Sequence, residues 1–159
     1  MSGLLKELPA PQLDGPKDAD LTLVGWGSTY QVMLEAMEAL NHEGLKVNVF
    51  CLRYVWPFQT EAVQQILARC KLTMSVEANY IGQIVKLIRM ETGADIKHHL
   101  RKYDGEPFEL KQVVDQARAI LKTKPKDSVV ASVVSDEGIP PDFSPIENPA
   151  IGAEATRQH

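Results

Sequence analysis

Cysteine and histidine are scarce in this chain of 159 residues, which contains two cysteines and four histidines. Cys51 and Cys70 do not form a CxxC pair, which excludes an iron–sulfur cluster ligated only by cysteines of this chain and argues against a structural zinc site. His98 and His99 are adjacent, so on a strand their side chains leave opposite faces and cannot hold one metal together. We therefore predict no metal site, and expect both cysteines to pack as small apolar groups.

An excess of basic charge and a long apolar run are also missing. Lysine and arginine total 17 against 21 acidic residues, and residues 1–124 hold 15 of each sign. A neutral body lacks the positive charge that phosphate-backbone binding requires. No apolar stretch approaches the ~20 residues that span a bilayer, and the N-terminus lacks the pattern of a signal peptide. We expect a cytoplasmic protein that binds neither nucleic acid nor membrane.

The common motifs of catalysis and phosphate binding are missing or incomplete. The chain has no GxSxG elbow and no GK[ST] loop. The glycine turn at 25–30 has Tyr30 where a dinucleotide fingerprint needs a third small residue, so we expect a tight turn capped by Ser28 or Thr29. No residue is predicted to be catalytic. The candidates for binding an anionic group through backbone N–H groups are Gly25, Gly27, Ser28 and Thr29.

The chain does contain short apolar runs that alternate with segments of helical period. Strands are predicted at 21–24, 46–52, 71–77 and 95–102, and helices at 29–43, from 60, at 81–92 and at 110–121. This alternation is typical of βα units that build a mainly parallel sheet, and hence of an α/β fold. The run at 95–102 is polar enough to lie at a sheet edge.

Proline, glycine and charge divide the chain into three parts. Residues 20–124 form the predicted domain body, and residues 1–19, which are rich in proline, are predicted to be a linker or extended arm. Residues 125–159 form a tail that contains five of the ten prolines and carries a net charge of −4. Within this tail, the run at 128–134 predicts a short strand.

Aromatic residues number only ten, yet seven of them lie just after one of the four predicted strands. These seven are Trp26, Tyr54, Trp56, Phe58, Tyr80, Tyr103 and Phe108. Because parallel strands point their carboxyl ends the same way, we expect the rings at one edge of the sheet, where such folds bind ligands or partners. Rings without reactive groups among them are typical of an interface core. The alternative is that several of them cap the core of the domain itself.

Polar residues beside these rings complete the candidate interface. Trp56 and Phe58 are the strongest predicted anchors, because Pro57 between them restricts the loop. Glu77 ends an apolar strand and either accepts N–H bonds from the next helix, which is the more common arrangement, or serves as a buried interface acid. The candidate interface residues are Trp26, Tyr54, Trp56, Pro57, Phe58, Glu77, Asn79, Tyr80, Gln83 and Tyr103.

Four segments in these loops and helices match a known family in order and spacing. They are DADLTLVGWGSTY, LRYVWPFQTEAV, VEANYIGQIVKLIRMETG and LRKYDGEPF. Across about residues 4–121, the chain closely resembles the domain that ends the alpha subunit of 2-oxoacid:ferredoxin oxidoreductases. The resemblance implies a transketolase C-terminal-like domain, a three-layer α/β/α sandwich with a mostly parallel sheet that can start with one antiparallel strand.

The resemblance also implies a parent reaction, the oxidative decarboxylation of a 2-oxoacid to an acyl-coenzyme A. This reaction uses thiamine diphosphate, Mg²⁺ and iron–sulfur clusters, with ferredoxin as electron acceptor. In the family, the cofactor sites lie in the preceding domain of the alpha subunit, on the beta subunit or on other modules, so none is expected on this chain. Because the sequence starts at the linker before the last domain, we expect a fragment, a split-gene product or a free-standing relative.

These observations together predict a noncatalytic assembly domain. Its expected partners are the thiamine-binding alpha domain and the beta subunit, or a second copy of the chain. One alternative is a module that binds a small molecule or coenzyme A with its strand-end loops, and another is an independent enzyme.

Overall fold

The computed structural model describes residues 7–123 and 130–133. The strands and helices in chain order are β1 Leu13–Asp14, β2 Leu21–Trp26, α1 Tyr30–His42, β3 Val47–Leu52, α2 Thr60–Leu67, β4 Thr73–Glu77, α3 Gln83–Thr92, β5 His98–Lys102, α4 Leu110–Lys122 and β6 Val130–Val133. A single 3₁₀ turn at Gly27–Thr29 joins β2 to α1. The predicted alternation of strands and helices is confirmed.

The strands form one six-stranded sheet in the order β1-β3-β2-β4-β5-β6. β1 pairs antiparallel with β3, as the resemblance allowed, and the other pairs are parallel. The prediction that β5 lies at an edge is wrong, because β6 pairs with it and places Val133 opposite Lys102. The predicted tail strand at 128–134 is confirmed for residues 130–133, and the rest of the tail lies outside the described residues.

Helices cover both faces of the sheet and create two apolar cores. The core under α1 and α4 includes Leu23, Met74 and Leu100 from the strands. The core under α2 and α3 includes Val24 and Phe50. Neighbouring residues of one strand thus enter opposite cores, as the pleat requires of a sheet that is buried on both faces. The three-layer α/β/α sandwich is confirmed.

The prediction that Thr29 caps the turn before α1 is wrong. Thr29 has a helical backbone, so its hydroxyl cannot cap α1 and instead donates a hydrogen bond of 3.0 Å to the carbonyl of Trp26. Thr60 is the first residue of α2 and makes no capping hydrogen bond. Leu110 begins α4 and is exposed.

Candidate interface at the carboxyl edge of the sheet

Exposed apolar side chains are concentrated at one edge of the sheet. Among the described residues, eight large apolar side chains are exposed, and six of them lie in the loops after β3, β4 and β5. These six, which we call the aromatic rim, are Tyr54, Val55, Trp56, Tyr80, Ile81 and Tyr103. Clusters of exposed apolar side chains typically mark sites of interaction. The structure therefore places four of the predicted interface rings at this edge, of which Tyr80 and Tyr103 are in contact with each other.

The loops after β4 and β5 support each other through their rings. Tyr80 and Tyr103 pack edge to face, with ring centroids 5.0 Å apart and planes at 83°. The backbone beside Tyr103 is held by Lys102, whose Nζ lies 2.7 and 2.6 Å from the two carboxylate oxygens of Asp104. The hydrogen bond from Lys102 lowers the pKa of Asp104, with help from the backbone N–H of Glu106. This ion pair keeps the turn closed around the outward-facing Tyr103.

The loop after β3 separates the two predicted anchors. Trp56 is 71% exposed, whereas Phe58 is 8% exposed and belongs to the core under α2 and α3. Pro57, which is joined to Trp56 by a cis peptide bond, lies between them and is half-buried. The prediction that Phe58 is an interface anchor is wrong, because its ring fills the space between the sheet and α2.

Two further rings also serve the domain's own packing. Trp26 is half-buried against the core that contains Phe58, and Phe108 is half-buried against the opposite core. The alternative expectation, that some of these rings cap the core, therefore holds for Trp26, Phe58 and Phe108. The sequence contained no signal that distinguished them from the exposed rings.

The side chains of Glu77 and Asn79 accept hydrogen bonds from backbone N–H groups at the start of α3. The fully buried Glu77 carboxylate accepts a hydrogen bond of 2.9 Å from the backbone N–H of Ile84 and one of 2.9 Å from the side chain of Asn79. The Asn79 carbonyl oxygen accepts from the N–H groups of Gly82 and Gln83, at 2.7 and 3.2 Å. These bonds occupy donors that a helix start leaves without partners. Glu77 thus accepts hydrogen bonds from the next helix, which is the more common of the two arrangements that the sequence allowed.

A cavity of about 270 Å³ lies between the loops after β2 and β4, where the strand order reverses. It is lined by Trp26, Gly27, Ser28, Thr29, Ala78, Asn79 and Gln83. Such crevices are the usual ligand sites of open α/β sheets. This one has no cationic side chain among its described lining residues, and the Asn79 oxygen already binds the N–H groups beside it.

Gly25 lies beneath this turn and serves packing. A Cβ at Gly25 would approach the Met33 side chain to 2.6 Å and the Thr29 hydroxyl to 2.8 Å. Close packing of α1 on β2 therefore explains the glycine without a ligand. Gly27 is different, since its φ of +58° favours glycine and a Cβ there would meet open space.

Within residues 7–123 and 130–133, no group of three histidine, cysteine or acidic side chains could hold a metal ion. In the same residues, no helix has the length and apolar character that crossing a membrane requires.

A part-buried hydrogen bond between side chains of β4 and β5 predicts that stability depends on pH. His99 Nδ1 lies 3.0 Å from Ser75 Oγ, and burial lowers the pKa of His99, with a further contribution from Arg101 that Glu77 and Asp95 oppose. Between the lowered pKa and the unfolded value of about 6.5, the unfolded chain binds more protons, so stability falls as the pH falls.

We expect the free energy of unfolding in urea to decrease between pH 7.5 and pH 5.5, and His99→Gln to reduce this decrease. Burial also lowers the pKa of His98, so part of the decrease will remain in the variant. An identical pH dependence in the two proteins would contradict the assignment to His99.

Comparison with known proteins agrees with this fold. The family model described as transketolase, C-terminal domain, matches residues 13–102. Subunit alpha of 2-oxoacid:ferredoxin oxidoreductase 1 from Aeropyrum pernix is 36% identical over 120 residues, which are 74% of this chain and 19% of that protein. The chain thus spans about one fifth of the length of this relative.

Two solved structures are also similar. The 2-oxoglutarate:ferredoxin oxidoreductase from Magnetococcus marinus, with 2-oxoglutarate, coenzyme A and succinyl-CoA bound, is 29% identical with a TM-score of 0.69, covering 76% of this chain and 21% of that one. The alpha chain of "probable 2-oxoacid ferredoxin oxidoreductase" from Thermoplasma acidophilum is 36% identical with a TM-score of 0.52, covering 72% of this chain and 98% of that one. The chain therefore belongs to the transketolase C-terminal domain family, as the C-terminal domain of the alpha subunit of 2-oxoacid:ferredoxin oxidoreductases.

Proposed function

We propose that this chain is a noncatalytic assembly domain of a thiamine-diphosphate-dependent 2-oxoacid:ferredoxin oxidoreductase. The whole complex would convert a 2-oxoacid to an acyl-coenzyme A and reduce ferredoxin, while this chain holds the catalytic subunits in register. Thiamine diphosphate, Mg²⁺, iron–sulfur clusters and coenzyme A would bind elsewhere in the complex. In this proposal, residues 20–124 form the domain, residues 1–19 its leading arm and residues 125–159 an acidic tail, and the complex is cytoplasmic.

The aromatic rim carries the proposal. Its exposed side chains follow three different strands, so only the folded sheet brings them to one edge. Exposed aromatic side chains dominate the binding energy of many interfaces, because they bury a large area and lose little conformational freedom. We infer that the rim packs against the thiamine-binding alpha domain and the beta subunit.

Trp56→Ala is expected to weaken association with these subunits without unfolding the domain. Truncation of an aromatic residue that anchors an interface commonly costs about 2 kcal/mol, which corresponds to a roughly 30-fold higher Kd. The Kd is measured by titrating the chain with the purified thiamine-binding alpha domain and beta subunit, with light scattering as the signal for association.

Met90→Ala is the matched control for this titration. Met90 is 74% exposed, much like Trp56, but it lies near the end of α3 and outside the rim. We expect its variant to associate like the parent chain. If all three proteins associate equally well, Trp56 is not part of the interface. If both variants lose the same amount of affinity, the rim has no special role in association.

The coenzyme A or small-molecule alternative is less well supported. The cavity between the loops after β2 and β4 has no described cation to bind an anionic group. Glu77 and Asn79 already occupy N–H groups at the start of α3. Saturable binding of coenzyme A to the isolated chain in calorimetry would nevertheless favour this alternative over the assembly role.

A further inference from the structure

Arg101 lies near the carboxyl end of β5, two residues before Tyr103 of the aromatic rim. Its guanidinium packs against the loop after β4, since a Cβ at Gly82 would lie 2.8 Å from Nη2 and 3.0 Å from Cζ and Nε. Gly82 directly follows Ile81 of the rim. The guanidinium therefore lies at the end of the rim where the rings of Tyr80 and Tyr103 pack together.

The charge of Arg101 has no direct partner in the part of the chain that the structure describes. Within residues 7–123 and 130–133, no carboxylate forms an ion pair with it, and its buried Nε has no hydrogen-bond acceptor. Glu77 lies opposite Arg101 in the register of β4 and β5, but its carboxylate binds the N–H of Ile84 and the side chain of Asn79 instead. Buried charged groups are ordinarily paired, because a partner offsets the cost of removing water. The domain by itself leaves this cost without an offset.

The loops that carry the rim supply no acidic partner for Arg101. The loops after β3 and β4 contain no aspartate or glutamate. In the loop after β5, Asp104 binds Lys102, and neither glutamate forms an ion pair with Arg101. Arg53, directly before the other end of the rim, is exposed and also has no carboxylate partner among the described residues. The rim is thus an apolar surface with a cation at each end.

We propose that the partner subunit packed on the aromatic rim presents an aspartate or glutamate side chain whose carboxylate binds the Arg101 guanidinium. This inference rests on the proposed function and adds the chemistry of the partner surface, which is apolar with an acidic side chain facing the end of β5. Arginine is enriched in interfaces and can form two parallel hydrogen bonds with one carboxylate. The partner also excludes water from the pair, which strengthens the attraction.

An acidic side chain fits this place better than the phosphate group of a cofactor. Phosphate sites commonly use free backbone N–H groups at a helix start or in a loop. At the start of α3, the side chains of Glu77 and Asn79 already bind N–H groups. A single guanidinium beside tyrosine rings instead resembles the arginine and aromatic clusters that dominate the binding energy of protein interfaces.

Arg101→Gln is expected to raise the Kd for the thiamine-binding alpha domain and beta subunit at least roughly 30-fold, because the partner's carboxylate would be buried without a cation. The Kd is measured with the purified subunits by light scattering. Arg101→Lys keeps the charge opposite Glu77, and hence the environment in which the domain folds, but it cannot form two parallel hydrogen bonds. We expect it to raise the Kd roughly fivefold.

Arg69→Gln is the matched control, because it removes the same charge from an exposed arginine. Arg69 lies between α2 and β4, at the amino edge of the sheet and away from the rim. We expect this variant to associate like the parent chain. Titrations at ~0.05 M and ~0.5 M NaCl separate charge from packing, since the Kd of the parent and of Arg69→Gln should rise more with salt than that of Arg101→Gln.

Parent-like association of both Arg101 variants would overturn the inference. A weaker Arg101→Gln complex whose Kd rises with salt as steeply as that of the parent would also overturn it, because Arg101 would then act through packing. If Trp56→Ala weakens association and Arg101→Gln does not, the inference fails while the proposed function stands. If the parent chain does not associate with the subunits at all, both fail.

Two measurements on the chain alone test other occupants of the Arg101 site. Calorimetry with coenzyme A tests a small anion, and light scattering over a range of concentrations tests a second copy of the chain. We expect no binding of coenzyme A and no dimer that depends on Arg101. Binding or dimerisation that Arg101→Gln abolishes would overturn the inference, because a different group would then pair with the guanidinium.

Discussion

Phe58→Ala is expected to lower the free energy of unfolding by about 3–5 kcal/mol, the usual cost of removing a buried aromatic ring. The ring is 8% exposed and belongs to a core with Val24, Phe50 and Val63. Its removal would leave a cavity between the sheet and α2, and helices packed against a sheet collapse only partly into such a space.

Urea denaturation followed by circular dichroism measures this effect, with Trp56→Ala as the matched control. The two aromatic residues are two positions apart, but Trp56 is largely exposed, so we expect its substitution to change the free energy of unfolding by no more than about 0.5 kcal/mol. Similar losses in the two variants would mean that the loop after β3 does not separate a core ring from an interface ring as described.

Glu77→Ala is expected to cost about 3 kcal/mol of stability, because it leaves buried donors without acceptors. The carboxylate accepts from the backbone N–H of Ile84 and from the Asn79 side chain, both at 2.9 Å. The Asn79 side chain, which Glu77 holds in place, accepts from the N–H groups of Gly82 and Gln83. Loss of the Glu77 carboxylate therefore also weakens these two hydrogen bonds. The start of α3 should open locally as well as globally.

Hydrogen exchange of the backbone amides tests this local effect, together with urea denaturation. We expect faster exchange at Ile84 in the Glu77→Ala protein and a smaller loss of stability in Glu77→Gln, which keeps one acceptor oxygen. Gln83→Ala is the control, since Gln83 is exposed at the start of the same helix. Wild-type exchange at Ile84 in the Glu77→Ala protein would show that the carboxylate does not hold the helix start.

Sequence patterns predicted the order of strands and helices because these depend on local periodicity. The helix predicted at 29–43 forms as α1, and Met33, Met37 and Leu40 are buried on one of its faces. Leu21–Trp26 and Val47–Leu52 form the predicted buried strands, to within two residues at their ends. Polarity alone misplaced β5, because a strand's position in the sheet depends on whether a later segment pairs with it, and β6 does so.

The candidate interface was predicted only in part. Residues after the strand ends were correctly expected to include exposed rings, since the carboxyl ends of parallel strands share one edge. Trp56 and Phe58 have equivalent local sequence contexts, yet one is exposed and the other is buried. Glu77 had two interpretations, and the hydrogen bond from Ile84, seven residues away, decided between them.

The sequence by itself determined the α/β class, the positions of the strands and helices and the family of the chain, because side-chain periodicity and short motifs are properties of neighbouring residues. Only the tertiary structure decided which rings form the rim, that the Glu77 carboxylate binds the start of α3 and that β6 pairs with β5. These features depend on contacts between residues far apart in the chain, and burial in a loop is set by what packs over it rather than by the loop's own sequence.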